Sequence, residues 1–180
     1  MSSKPNQAIL RNSVILAPLP QKYAAKSPTL LRAVSWALVA MNIYPLKGLG
    51  EIRFGDSRNK IESLLGVPDD VSNKDSADEV SSEIWSYANL GLELYFEPDS
   101  GFRLWSILTS SVKVSFEGVN PIGLSDAELK ETFPNLKLDI HDGKFKEYSY
   151  PNSEIVFFLK NNVVKRIDID PIIEDFPDKY

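Results

Sequence analysis

Two stretches of the chain, IRFGDSRNKIESLLGVPDD from Ile52 and NPIGLSDAELKETFPNLKLD from Asn120, set the same residue types at the same intervals. Gly55 stands six residues before Ile61 and ten before Leu65, and Gly123 stands six before Leu129 and ten before Phe133. Each stretch reads as a glycine turn leading into a short amphipathic helix. In the first, a helix from about Ser57 to Leu65 presents Ile61, Leu64 and Leu65 on one face, with Gly66 as its cap and Pro68 just beyond. In the second, Ser125 is the N-cap, Glu128 occupies the capping-box position, Leu129 and Phe133 point inward, and Pro134 stops the helix.

The segments downstream of the two helices correspond as well. After the first comes an acidic polar loop, Asp69 to Glu83, and then the alternating runs IWSYAN, GLELYFE, FRLWSIL and VKVSFEG, with a Pro-Asp-Ser-Gly turn among them. After the second come FKEYSY, EIVFFLK and VVKRIDI, joined by Pro-Asn-Ser and Asn-Asn turns. Trp85-Ser86-Tyr87 corresponds to Tyr148-Ser149-Tyr150. The pattern predicts an α+β fold of two tandem helix-plus-antiparallel-meander repeats, with the helices packed on one face of a sheet. Its divisions are a basic extension over 1–40, a first repeat over 41–119 and a second, with an acidic tail, over 120–180. Leu92, Leu94 and Phe96 would face the helices, as would Ile167 and Ile169. Glu93, Tyr95, Glu97, Arg166 and Asp168 would lie on the open face.

Charge divides the chain as sharply as pattern does. The net charge is −5, yet the six basic residues up to Lys47 meet no carboxylate, so the remainder holds 14 basic against 25 acidic residues, a balance of −11. An acidic body of that size repels nucleic acid and suits basic protein partners. With no cysteine there is no disulfide, no thiolate metal site and no lipid-modified cysteine anchor, which fits a reducing cytosol. No apolar run approaches the roughly 18 to 20 residues that span a bilayer.

The first forty residues admit several readings. AVSWALVAM, Ala33 to Met41, comes after Lys22, Lys26 and Arg32 and has the length of a signal-peptide core, although the small-residue triplet Ser35-Trp36-Ala37 falls inside it. The acid-free composition also resembles an organellar transit peptide. A helix from Pro28 to Met41, capped by Ser27, is the structural alternative. A dispensable extension ahead of a start at Met41 is the last, with Asn42 to Leu46 as the leading strand.

Catalytic chemistry has little to build on. His141 is the only histidine, flanked by Asp139 and Asp142, and reads as a solvated strand-end residue, with no second histidine for a metal and no G-x-S-x-G serine for a triad. KGLGEIRFG fits neither dinucleotide nor Walker spacing and is turn chemistry. DDVSNKDSADEVSSE lacks the register of a calcium loop and reads as a solvated loop. The tail IDIDPIIEDFPDKY reads as an extended segment packed on the body or as a second acidic contact strip. No metal and no cofactor are expected.

The run G-x-G-x-I-x-F-G-D-S, I-x-x-L-L-G-x-P-D, W-x-Y, G-L-x-L-x-F resembles the helix-plus-meander unit of the SmpA/OmlA and beta-lactamase-inhibitor-protein class. The tandem arrangement is similar to that of two-repeat inhibitors, and to small bacterial immunity proteins. The resemblance covers Asn42 to about Asp170, with Phe133-Pro134 replacing Leu65-Gly66 in the second unit. It implies a cytoplasmic, non-enzymatic inhibitor that binds a protein toxin or enzyme, basic in charge, and an immunity role. Glu93, Tyr95, Tyr150, Phe158, Arg166 and Asp168 are the expected contact residues. The rival reading is an exported periplasmic structural or envelope-assembly protein.

Overall fold

The Ser57 hydroxyl accepts the Lys60 N–H at 3.3 Å, and the Gly66 N–H closes the last turn on the Glu62 carbonyl at 2.8 Å. Helix α1 (Arg58–Leu65) therefore begins and ends where its caps predict. Helix α2 (Asp126–Thr132) carries the full capping box, Ser125 and Glu128 each bonding the other's backbone. These elements belong to a computed structural model that describes residues 41–74, 82–172 and 176.

Twelve strands occur among the described residues: β1 (Met41–Tyr44), β2 (Gly48–Leu49), β3 (Ile52–Arg53), β4 (Asp70–Lys74), β5 (Ser82–Tyr87), β6 (Leu92–Glu97), β7 (Arg103–Thr109), β8 (Val114–Ser115), β9 (Lys137–Asp142), β10 (Phe145–Tyr150), β11 (Glu154–Lys160) and β12 (Val163–Asp170). They form two sheets. The larger has eight strands, all antiparallel, in the order β4-β5-β6-β7-β12-β11-β10-β9. The smaller has four, β3-β2-β1-β8, with β8 parallel to β1. Short turns join β5 to β6, β6 to β7 and each successive pair from β9 to β12. Asn161 and Asn162, with φ of 55° and 60°, supply the pair of positive angles that a two-residue β11–β12 hairpin requires.

This architecture corrects the expected α+β fold of two tandem units with helices covering a sheet. The chain is mostly β, and its two helices are too small for the task. At 1.5 Å per residue each is only about 10–12 Å long, against roughly 35 Å across eight strands. α1 buries Ile61 and Leu64, and α2 buries Leu129. The small sheet and its flanks bury Met41, Ile43, Leu49, Ile52, Phe54, Val114 and Phe116 in the same core as Leu94, Phe96, Ile107, Phe157, Ile167 and Ile169 of the large sheet. A second sheet, and not a helical layer, supplies most of the cover. Phe116, Phe133 and Phe157 form the aromatic centre of the shared core, Phe133 and Phe157 stacked with centroids 5.6 Å apart.

Three local expectations change with it. VKVSFEG contributes only the two-residue β8, which leaves the meander to pair with β1. The start of the acidic loop is strand β4, whose pairing satisfies the outer backbone edge of β5. Met41 is not a helix end but the first, buried residue of β1. Residues 1–40, with the signal, transit, helix and extension readings placed on them, lie outside the described residues. Among the described residues, no helix is long and apolar enough to cross a membrane.

Candidate functional site

Strand alternation sorts the expected contact residues onto the two faces of the large sheet. In β6, Leu92, Leu94 and Phe96 are buried while Glu93, Tyr95 and Glu97 alternate outward, half-exposed. The register then carries one row across five strands: Ser86, Glu93, Leu108, Asp168 and Val156 are successive neighbours. A second row on the same face runs Arg166, Phe158, Glu147, Ile140. The outer face thus brings Glu93, Tyr95, Phe158, Arg166 and Asp168 together.

Tyr150 is not with them. It pairs with the buried Ile155, so it lies on the inner face, where its ring meets Phe116 edge-on at 4.9 Å and its hydroxyl donates to Glu117 at 2.7 Å. The correspondence with Trp85-Ser86-Tyr87 carries this signal, because Trp85 and Tyr87 are both buried. Residues two apart in a strand share a face.

The middle of the outer face is acidic and closely bonded. The Tyr95 hydroxyl donates to Glu93 at 3.2 Å, and burial together with the Glu93 charge pushes the phenol up to about 12. The Ser106 hydroxyl donates to Asp168 at 3.2 Å. Asp170, two residues along β12, is pushed up to about 7 by burial and then by the Asp168 charge, with Glu154 adding to the effect and Ser106 opposing it. Its Oδ1 and the Trp105 Nε1 are buried without a hydrogen-bond partner among the described residues.

The β10–β12 end of the face has the opposite character. Phe145, Glu147, Phe158, Lys160, Lys165 and Arg166 line a cavity of about 310 Å³, which Lys146 and Leu159 also border. The Arg166 guanidinium lies 4.4 Å from the Phe158 ring centroid, and the Lys160 ammonium 5.8 Å from that of Phe145. Of these residues, only Phe158 and Arg166 are expected from the sequence. The missed signal is a break in period: Val164, Ile167 and Ile169 are buried, so the apolar spacing in VVKRIDID is three and then two. That irregularity marks an inserted residue, Lys165.

His141 is exposed on β9, paired with Lys146. Among the described residues no three of His, Cys, Asp and Glu converge as a metal site would need. What this face presents is aromatic rings and charged groups side by side.

No family model matches the sequence, and no curated protein matches it. In fold the chain is similar to the crystal structure of the uncharacterized protein YfeY from Escherichia coli, with a TM-score of 0.50 and 16% identity over 73% of this chain and 99% of that one. The likeness is one of fold alone.

Proposed function

We propose that the protein is a non-enzymatic binder that blocks another protein, an immunity protein for a bacterial toxin domain, and that the outer face of the large sheet is its contact surface. The observation that carries this reading is the row Glu93, Leu108, Asp168 with Tyr95 beside it: half-exposed carboxylates, an apolar side chain and a tyrosine on the central strands. Tyrosine and arginine make strong interface anchors, and an acidic face steers a basic partner to its place. Held on β6, β7 and β12 and not on loops, these groups lose little conformational freedom when a partner docks.

The test is capture with the full-length chain from cells of the organism that encodes it, followed by titration of the captured protein's activity. A basic partner inhibited at one-to-one stoichiometry is expected. The Glu93→Lys/Asp168→Lys double variant should weaken inhibition by about tenfold or more, chiefly through association, and the wild-type rate should fall steeply with salt. Failure to capture any partner, or equal inhibition by the double variant, would overturn the proposal.

A further inference from the structure

We propose that the groove at the β10–β12 end of the outer face is an anchor site for a carboxylate side chain carried, next to an apolar residue, on a segment of a partner polypeptide. The proposal rests on the reading of this face as protein-binding and adds the chemistry of one contact. It begins with the bulge. Phe158 pairs with Arg166 and Leu159 with Val164, leaving Lys165 as the extra residue of β12. In an unbroken strand two consecutive side chains point to opposite faces; here Lys165 and Arg166 both line the groove.

The charge gathered there runs against the rest of the molecule. Residues 48–180 carry a balance of −11, yet Lys160, Lys165 and Arg166 converge with Glu147 as the one carboxylate of the lining. Among the described residues none of these three cations forms an ion pair. Lys146 is different, since its ammonium bonds Asp126 at 2.6 Å. Arg166 over Phe158 and Lys160 over Phe145 are set against aromatic faces, which holds their charged ends at the groove wall. A net positive groove floored by rings suits an anion with an apolar neighbour. Glu147 within the lining favours a singly charged carboxylate over a phosphate dianion.

The shape selects a polypeptide. Every lining residue comes from three adjacent strands of one sheet, so no lining from another element closes over the groove among the described residues. Sites for small molecules bury most of their ligand's surface, which an open groove on a sheet does not do. It suits one or two side chains delivered by a larger surface that seals the rim. Phe145 of the lining and Ile140 beyond it, 46% and 47% exposed, extend the apolar surface toward β9, the outermost strand on that side among the described residues.

The experiment uses the full chain and a fluorescently labelled synthetic hexapeptide, Glu-Asp-Phe-Glu-Asp-Phe, monitored by anisotropy at low salt. Saturable binding is expected, weakened about tenfold or more by Lys165→Glu/Arg166→Glu and by Phe158→Ala, and changed less than about twofold by Glu131→Gln, an exposed position on α2. The charge-reversal variant alters two exposed side chains and keeps the test decisive even where Phe158→Ala does not fold. Absence of saturable binding up to millimolar chain, or equal binding by the variants, overturns the proposal. So does displacement of the peptide by low-millimolar inorganic phosphate, which would mark a small-anion site. Self-association abolished by the charge reversal, without peptide binding, would likewise overturn it in favour of a second copy of the chain. Peptide binding is measured without the native partner, so failure of this contact and failure of the proposed function remain distinguishable.

Discussion

Asp126 ties helix α2 to strand β10. Its Oδ2 accepts from Lys146 at 2.6 Å and from Lys130 at 3.3 Å, and its Oδ1 accepts from the Tyr148 hydroxyl at 2.7 Å. Burial on its own would raise the carboxyl, but these hydrogen bonds outweigh it and hold the group at about 2. The Asp126→Asn variant should lose about 1–3 kcal/mol at pH 7, because the Lys146 side chain, 16% exposed, would be left without its counter-charge. A folded value depressed below the ordinary one means that this contribution is complete above about pH 4 and fades as the pH falls toward 2. Urea midpoints for the two proteins should therefore differ at pH 7 and converge in acid; a constant difference would refute the linkage. Asp170 has the opposite sign. Raised to about 7, it makes the wild type less stable as the pH climbs from about 4 to about 7, since the unfolded chain has already released that proton. Asp170→Asn should remove this slope and gain about 1–2 kcal/mol at pH 8, read as a higher urea midpoint there and little change near pH 4. The i,i+4 spacing of Asp126 and Lys130 and the two-residue spacing of Asp168 and Asp170 can be read from the sequence, but the Lys146 and Tyr148 bonds to Asp126 and the burial of Asp170 arise only in the folded sheet.

Short elements are legible where their signals are local. Ser57, Gly66, Ser125 and Glu128 fix both helices by hydrogen bonds reaching three or four residues, so the caps alone locate α1 and α2. Alternation in GLELYFE assigns the faces of β6 correctly, and with them the outward placement of Glu93 and Tyr95. Pattern misleads where pairing is non-local: VKVSFEG alternates like a meander strand, yet its two paired residues answer to β1, more than seventy positions away. Gly48 belongs to the same small sheet, although its sequence context suggests only turn chemistry. Its φ is +133°, and a Cβ there would stand 2.2 Å from the Ile52 carbonyl oxygen across the β2–β3 pair. Gly48→Ala therefore has no room on the backbone opposite and should destabilise the protein by more than about 2 kcal/mol. Thermal unfolding checks this. A shift of only a degree or two would mean that the small sheet contributes little to the core.

The eight-stranded sheet is continuous because β7 pairs with β12, joining strands whose connection otherwise runs through β8 and α2. Two local meanders are readable from spacing; that they merge edge to edge is not, since nothing in either strand's own pattern names its distant partner. The difference is testable, for two helix-covered repeats would unfold as separate units, whereas one sheet over one core should unfold together. Ile169 sits at the junction, fully buried, on β12 between Ile107 of β7 and Ile155 of β11. Ile169→Ala removes apolar volume where the two halves meet and should cost about 2–5 kcal/mol. In native-state hydrogen exchange, amides of β6 and of β11 should then lose protection by the same amount, because both exchange through the same global opening. Protection lost in β9–β12 but kept in β4–β7 would show instead that each half folds alone, and that the β7–β12 pairing is a contact between units and not the seam of one sheet.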